Sequence, residues 1–195
     1  MVTTTKGSLL LGNAAQGLRA AGCGVTNRAL GLARLDALYA SLPSTRDPGG
    51  FLAAARECLD LHCDVLEQGQ QAIPAAGPLL VVCNHPFGGA DGLLLTEFVL
   101  ARRPDLRVLG NRELARIPEL AALLLPVEIL GACGRGSAEN LRGVRNALRW
   151  LQRGGTLLLF PAGEVASMRA VEGVTDQRWH ALAGWLVRHS VTVHS

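Results

Sequence analysis

Short apolar runs break a chain that otherwise follows a helical rhythm. Leu79-Leu80-Val81-Val82-Cys83, Leu106-Arg107-Val108-Leu109-Gly110 and Thr156-Leu157-Leu158-Leu159-Phe160 are each five residues long and bounded by turn formers. Their length and aliphatic content predict buried strands. Leu124-Leu125-Pro126-Val127-Glu128-Ile129 is a further apolar strand that carries a proline and an acid. Between the strands, apolar residues return every three or four positions, as in Leu93, Leu94, Phe98 and Ala101, and in Leu141, Val144, Leu148 and Leu151. These spacings predict amphipathic helices, the second one capped by Ser137. A short helix reaching Leu123 is expected from the turn at Asn111. The alternation reads as α/β, with a mixed, mostly parallel sheet flanked by helices.

Ahead of the first strand the pattern is helical. Residues 1–15 read as flexible, and Leu18 through Tyr39 suggest one or two helices broken near Gly22, Gly24 and Asn27. Ser44 to Gly50 reads as a loop, and Phe51 to Leu66 as a helix with His62 inside it. No shift in composition marks a second folded unit, so residues 1–75 form a helical lead-in and 76–195 the main domain. Near the end, Val174-Thr175-Asp176 is expected to start a helix carrying Trp179, Leu182, Trp185 and Leu186, and Val191 to Val193 starts like a strand.

The candidate chemistry sits where the first strand ends, in Asn84-His85-Pro86-Phe87-Gly88-Gly89-Ala90-Asp91-Gly92. His85 follows the strand, Asp91 reads as the N-cap of the next helix, and two glycines allow a sharp turn between them. A carboxylate beside an imidazole fixes its tautomer and raises its basicity, as a general base requires. Loops at the carboxyl ends of strands in α/β sheets are where such sites collect. Asn84 suits a turn, a cap or a hydrogen bond to a ligand, the turn being favoured. A satisfied turn without chemistry is the plainer reading of the bare pair.

Composition narrows the field. The 195 residues suffice for one domain burying about 70% of its unfolded surface. Hydrophobic residues make up 49% and charged ones 18%, a core-forming rather than disordered balance. From Arg102 to Arg153 ten arginines face five acids, which suits an anionic partner or a solvated helix face equally. Aromatics are only 4% and do not interleave with basic residues, which argues against nucleic acid. No apolar run approaches a membrane span. The five cysteines show no CxxC pair, which points to reduced thiols, a cytoplasmic address and no metal.

The Asn84–Gly92 stretch resembles the first motif of the glycerolipid and lysophospholipid acyltransferase superfamily, in its hemolysin-like branch related to ornithine-lipid synthesis. Most of that superfamily has four residues between His and Asp; the five here are similar to the branch. Leu32 to Tyr39 resembles the branch's helical lead-in, and Leu124 to Ile129 a second block. Phe160-Pro161-Ala162-Gly163-Glu164 resembles the third motif in its branch form. The resemblance runs from about Leu32 to Val193, so a C-terminally truncated chain is expected.

The resemblance implies a glycerol-3-phosphate acyltransferase-like fold and acyl transfer from a thioester to a hydroxyl of a lyso-lipid or glycerolipid. His85 and Asp91 would be catalytic, and Asn84, Gly88, Gly89, Arg135, Gly163 and Glu164 substrate-binding. The donor would be acyl-CoA or acyl carrier protein, with no tightly bound cofactor and no metal. The acceptor would be reached at a membrane surface, from the inner face of the cell membrane. Arg135, at the start of the helix after Ser137, is the match for a phosphate-binding arginine; an exposed arginine in a loop is the alternative. Two rivals stand beside this reading. An α/β-hydrolase-type esterase would need a nucleophilic serine, and Ser137 lacks the Gly-x-Ser-x-Gly setting. A truncated, inactive lipid-binding domain would carry the same motifs without turnover.

Overall fold

A computed structural model describes residues 32–64, 72–127, 138–162, 167–169, 173–175 and 179–190. Strands β1 (Leu79–Val82), β2 (Leu106–Asn111), β3 (Leu124–Val127) and β4 (Thr156–Leu159) form one sheet in the order β1-β4-β2-β3. Every neighbouring pair is parallel. Strand β4, the last of these four in sequence, is inserted between β1 and β2, with Val82 opposite Leu159 and Leu109 opposite Leu159 on its other side. Parallel strands need crossovers, and helices α3 (Gly89–Leu100) and α5 (Ala138–Gln152) supply them.

Successive side chains of a strand point to opposite faces, so the central strands build two cores. Leu157 and Leu159 join Leu109, Ala147 and Leu151 under α5, where helix α6 (Leu182–Ser190) adds Ala183 and Leu186. Leu158 joins Leu106, Val108, Val99 and Ile73 on the α3 side. Leu157 and Leu158 are fully buried, a placement worth about 2 kcal/mol per side chain. A third cluster packs Tyr39 and Leu38's helix α1 (Leu32–Ser41) with Phe51 and Leu52 of α2 (Pro48–Cys58) against Ile117 and Leu123. Ile117 leads into the short helix α4 (Pro118–Ala121), which follows a 3-10 turn at Arg112–Arg116. In that cluster the Tyr39 hydroxyl donates to Glu119 Oε2 at 2.9 Å, pairing a buried carboxylate.

The amino ends of the strands are clamped by a buried arginine. Arg103, 2% exposed, donates to both Asp105 oxygens at 2.8 and 2.9 Å. It also donates to the carbonyls of Pro74, Gly77 and Gly154 at 3.1, 2.7 and 3.2 Å. One guanidinium thereby ties the approaches to β1, β2 and β4, using the fixed fork of donors that arginine alone provides.

Several boundaries differ from the sequence expectation. Helix α2 begins at Pro48 rather than Phe51, because Asp47 caps it by accepting from Gly49 N at 3.3 Å and Gly50 N at 2.8 Å. Proline is well tolerated at a first helical position, so the apparent loop is the first turn. The helix stops at Cys58 rather than Leu66. Asp60 turns to φ +52°, and Asp60 N and Leu61 N donate to Glu57 and Arg56 carbonyls, a Schellman closure. His62 therefore lies outside the helix, exposed, with Nδ1 on the Asp60 carbonyl at 3.1 Å. Val174 and Thr175 are in a strand, not a helix: β5 (Ser167–Arg169) and β6 (Gly173–Thr175) pair antiparallel apart from the main sheet. The expected features at 16–31, 67–71, Ser137 and Val191–Val193 lie outside the described residues.

Candidate active site

The site is built from the carboxyl ends of two adjacent parallel strands. Cys83 N donates to the Leu159 carbonyl at 3.3 Å, the last rung before β1 and β4 part. Beyond that rung the chain carries Asn84 and His85 on one side and Phe160, Pro161 and Ala162 on the other. The rings of His85 and Phe160 stack with centroids 4.7 Å apart and planes 16° from parallel. His85 is half-buried, so its ring is oriented by the contact while keeping an open edge. Phe160 packs into the core on the α3 side, which anchors the platform.

The turn from His85 into α3 is tight. Gly88 N donates to the His85 carbonyl at 2.9 Å, and Gly88 has φ +68° and ψ −112°, a backbone state open to glycine. Asp91 is the third residue of α3, so the cap position expected of it belongs to Gly88. Its carboxylate instead reaches back, Oδ2 accepting from Phe87 N at 2.7 Å. Burial first, then the negative charge of Asp91, push the Cys83 thiol up to about 11. The carboxylate therefore acts on residues at both ends of the stretch that holds His85, and the first turn of a helix favours its charge.

A second anchor joins residues far apart in the chain. Trp179 Nε1 donates to Asn84 Oδ1 at 2.6 Å, and His180 N donates to the Pro161 carbonyl at 3.0 Å. The return of the chain after the β5–β6 hairpin is pinned to both strand ends. Residues Gly163 and Glu164 lie outside the described residues, as does Arg135, so the structure places neither the third-motif acid nor the candidate anion-binding arginine. The chain does leave β4 at the same end of the sheet as His85, through Ala162.

Two open grooves follow α2 and α3, and neither is lined by His85 or Asp91. Among the described residues, no group of three His, Cys, Asp or Glu side chains is gathered to hold a metal ion. No helix among them is long and apolar enough to cross a membrane. Two contributors escaped the sequence reading. The sequence pattern puts Phe160 at the tail of a buried strand and Trp179 on one side of a helix. Only strand order pairs Phe160 with His85, although its place beside the strand-ending Pro161 was a usable signal.

A parallel α/β sheet with a histidine–aspartate loop at one strand end, and Phe160-Pro161-Ala162 leaving the neighbouring strand at the same end, defines a recognisable class. Residues 48–186 match the family model described as acyltransferase, and the chain belongs to that family. Over 148 residues it is 30% identical to the lyso-glycine lipid O-acyltransferase of Bacteroides thetaiotaomicron, covering 74% of this chain and 51% of that protein. The lyso-glycine lipid O-acyltransferase of Phocaeicola vulgatus is 28% identical over 131 residues, covering 66% of this chain and 43% of its own length. The chain thus spans about half the length of the curated relatives it matches.

Proposed function

We propose that this protein transfers an acyl group from an acyl thioester to a hydroxyl of a lyso-lipid, with His85 as general base and Asp91 as its partner. The observation that carries the reading is the parallel β1–β4 pair, which brings His85 onto Phe160 at the sheet's carboxyl end. Nδ1 of His85 is shut away from solvent, so Nε2 is the nitrogen offered to the acceptor. It removes the hydroxyl proton as that oxygen attacks the thioester carbon. The tetrahedral oxyanion then collapses, the thiolate leaves, and the imidazolium returns the proton to it.

Oxyanion stabilisation falls to the Gly89 N–H at the start of α3, since the Gly88 N–H already serves the turn. One well-placed donor is worth about 3 kcal/mol. Acyl-CoA or acyl carrier protein is the donor, and neither a metal nor a covalent acyl-enzyme is needed. Glu164, just beyond Ala162, orients the acceptor with Gly163. Arg135 follows β3 in the sequence and steers an anionic head group. The names of the two relatives favour a lyso-lipid with an amino-acid head group over a lyso-phospholipid. Such an acceptor implies work at the inner face of the cell membrane.

The test is acyl transfer from a labelled acyl-CoA, or from acylated carrier protein, to lyso-glycine and lyso-ornithine lipid. His85→Ala should lower turnover at least 100-fold with an unchanged circular dichroism spectrum. Turnover within tenfold of the parent would remove His85 as the base.

A further inference from the structure

The mouth of the site carries apolar side chains that water should not favour. Phe87 is 80% exposed, Trp179 48% and Val82 37%. All three belong to one locale: Val82 ends β1, Phe87 lies on the His85 turn, and Trp179 is bonded to Asn84. Both aromatic residues are held in place, Phe87 through its own N–H to Asp91 and Trp179 through its indole N–H. Holding an aromatic ring outward on a tethered backbone needs a reason, because an exposed ring gains nothing by being fixed. Indole with its N–H satisfied and its body exposed suits the boundary between lipid head groups and acyl chains. In sequence, Trp179 directly follows Arg178, whose fixed positive charge suits an anionic head-group layer.

We propose that Phe87 and Trp179, with Val82 beside them, form a rim that inserts into an anionic bilayer surface and sets the His85 loop against it. The idea rests on the lyso-lipid reading above, since an acceptor already in the bilayer then reaches His85 without crossing water.

Flotation with vesicles of phosphatidylethanolamine and phosphatidylglycerol tests the rim, run beside acyl transfer to a short-chain, water-soluble lyso-lipid. The parent should float, and Phe87→Ser and Trp179→Phe should be compared with it. Burying one aromatic ring predicts that Phe87→Ser weakens partition about tenfold or more. Trp179→Phe, which keeps an apolar ring, should bind more weakly than the parent but better than Phe87→Ser, and should lose the blue shift of tryptophan emission on vesicles. His85→Ala should float like the parent. A parent that turns over the soluble acceptor but never floats, or a Phe87→Ser variant that floats unchanged, overturns the rim and leaves the acyl-transfer reading standing. A parent that floats but transfers nothing supports the rim and sinks that reading instead. A second copy covering the same residues would appear as a dimer that Phe87→Ser dissociates without any vesicle effect, which also overturns the lipid assignment.

Discussion

Replacing Arg103 by methionine removes a cation while keeping the length and bulk of its apolar stem. Five hydrogen bonds disappear, two to Asp105 and three to the carbonyls of Pro74, Gly77 and Gly154. Removing one partner of a buried ion pair costs about 3–5 kcal/mol. The lower end applies here, because Asp105 is itself 36% exposed and retains the Thr156 hydroxyl at 3.4 Å. A loss of about 3 kcal/mol in a domain of this size lowers Tm by about 6–12 °C.

The loss also depends on pH in a defined direction. The hydrogen bond from Arg103, ahead of any other cause, holds the Asp105 carboxyl below its ordinary 3.8. A depressed native value means the pair's stabilisation is complete above the unfolded-state pKa and disappears as pH falls through the native one. Parent and Arg103→Met should therefore differ most at pH 7, and the gap should narrow as pH falls below about 4, leaving the share of the three carbonyl bonds. Thermal melts by circular dichroism across that range provide the measurement. A Tm drop under about 2 °C at pH 7, or a gap that stays constant into acid, would refute the account. The clamp lies at the amino end of the sheet and His85 at the carboxyl end, so kcat per folded molecule should be unchanged below the melt.

Tyr39 is the chain's single tyrosine, and burial, then its bond to Glu119, push its hydroxyl up to about 12. Phenolate absorbance should therefore titrate near that value when folded and near 10 in denaturant, with this contribution present below pH 10 and lost as pH rises through 12. The Cys83 thiol, raised to about 11, should resist iodoacetamide at pH 8 while exposed Cys58 and Cys63 react, as peptide mass spectrometry would show. Equal labelling of all three counts against the placement of Cys83. In Gly143→Ala the new methyl would lie 2.6 Å from Val127 Cγ1 and 2.7 Å from the Pro126 carbonyl, pushing α5 off β3. Urea unfolding should report a loss of about 1–3 kcal/mol, and an unchanged midpoint would show that the helix can shift freely.

Local rhythm by itself determined the strands, the long helices and the α/β class of this protein. Thr156–Leu159 and Leu79–Val82 each lie within a residue of their expected limits, because a short aliphatic run between turn formers has few other states. The His85–Asp91 stretch was equally visible, since glycine pairs and a first-turn acid act over a few residues. Helix ends were less legible. An Asp-Pro-Gly-Gly opening looks like a break until Asp47 caps it, and Asp60 takes a left-handed turn usually left to glycine or asparagine.

Tertiary structure alone decided which residues surround the histidine. Strand β4 enters between β1 and β2, and that insertion sets Phe160 beneath the His85 ring. Trp179 meets Asn84 across 95 positions and Tyr39 meets Glu119 across 80, separations over which no sequence period acts. Arg103, one of ten arginines in its segment, became a structural clamp because three strand approaches converge on it, and charge counting cannot tell such a residue from one that faces a ligand. Periodicity reports which face of an element is buried; what is buried against it depends on strand order, and that is a property of the assembled sheet.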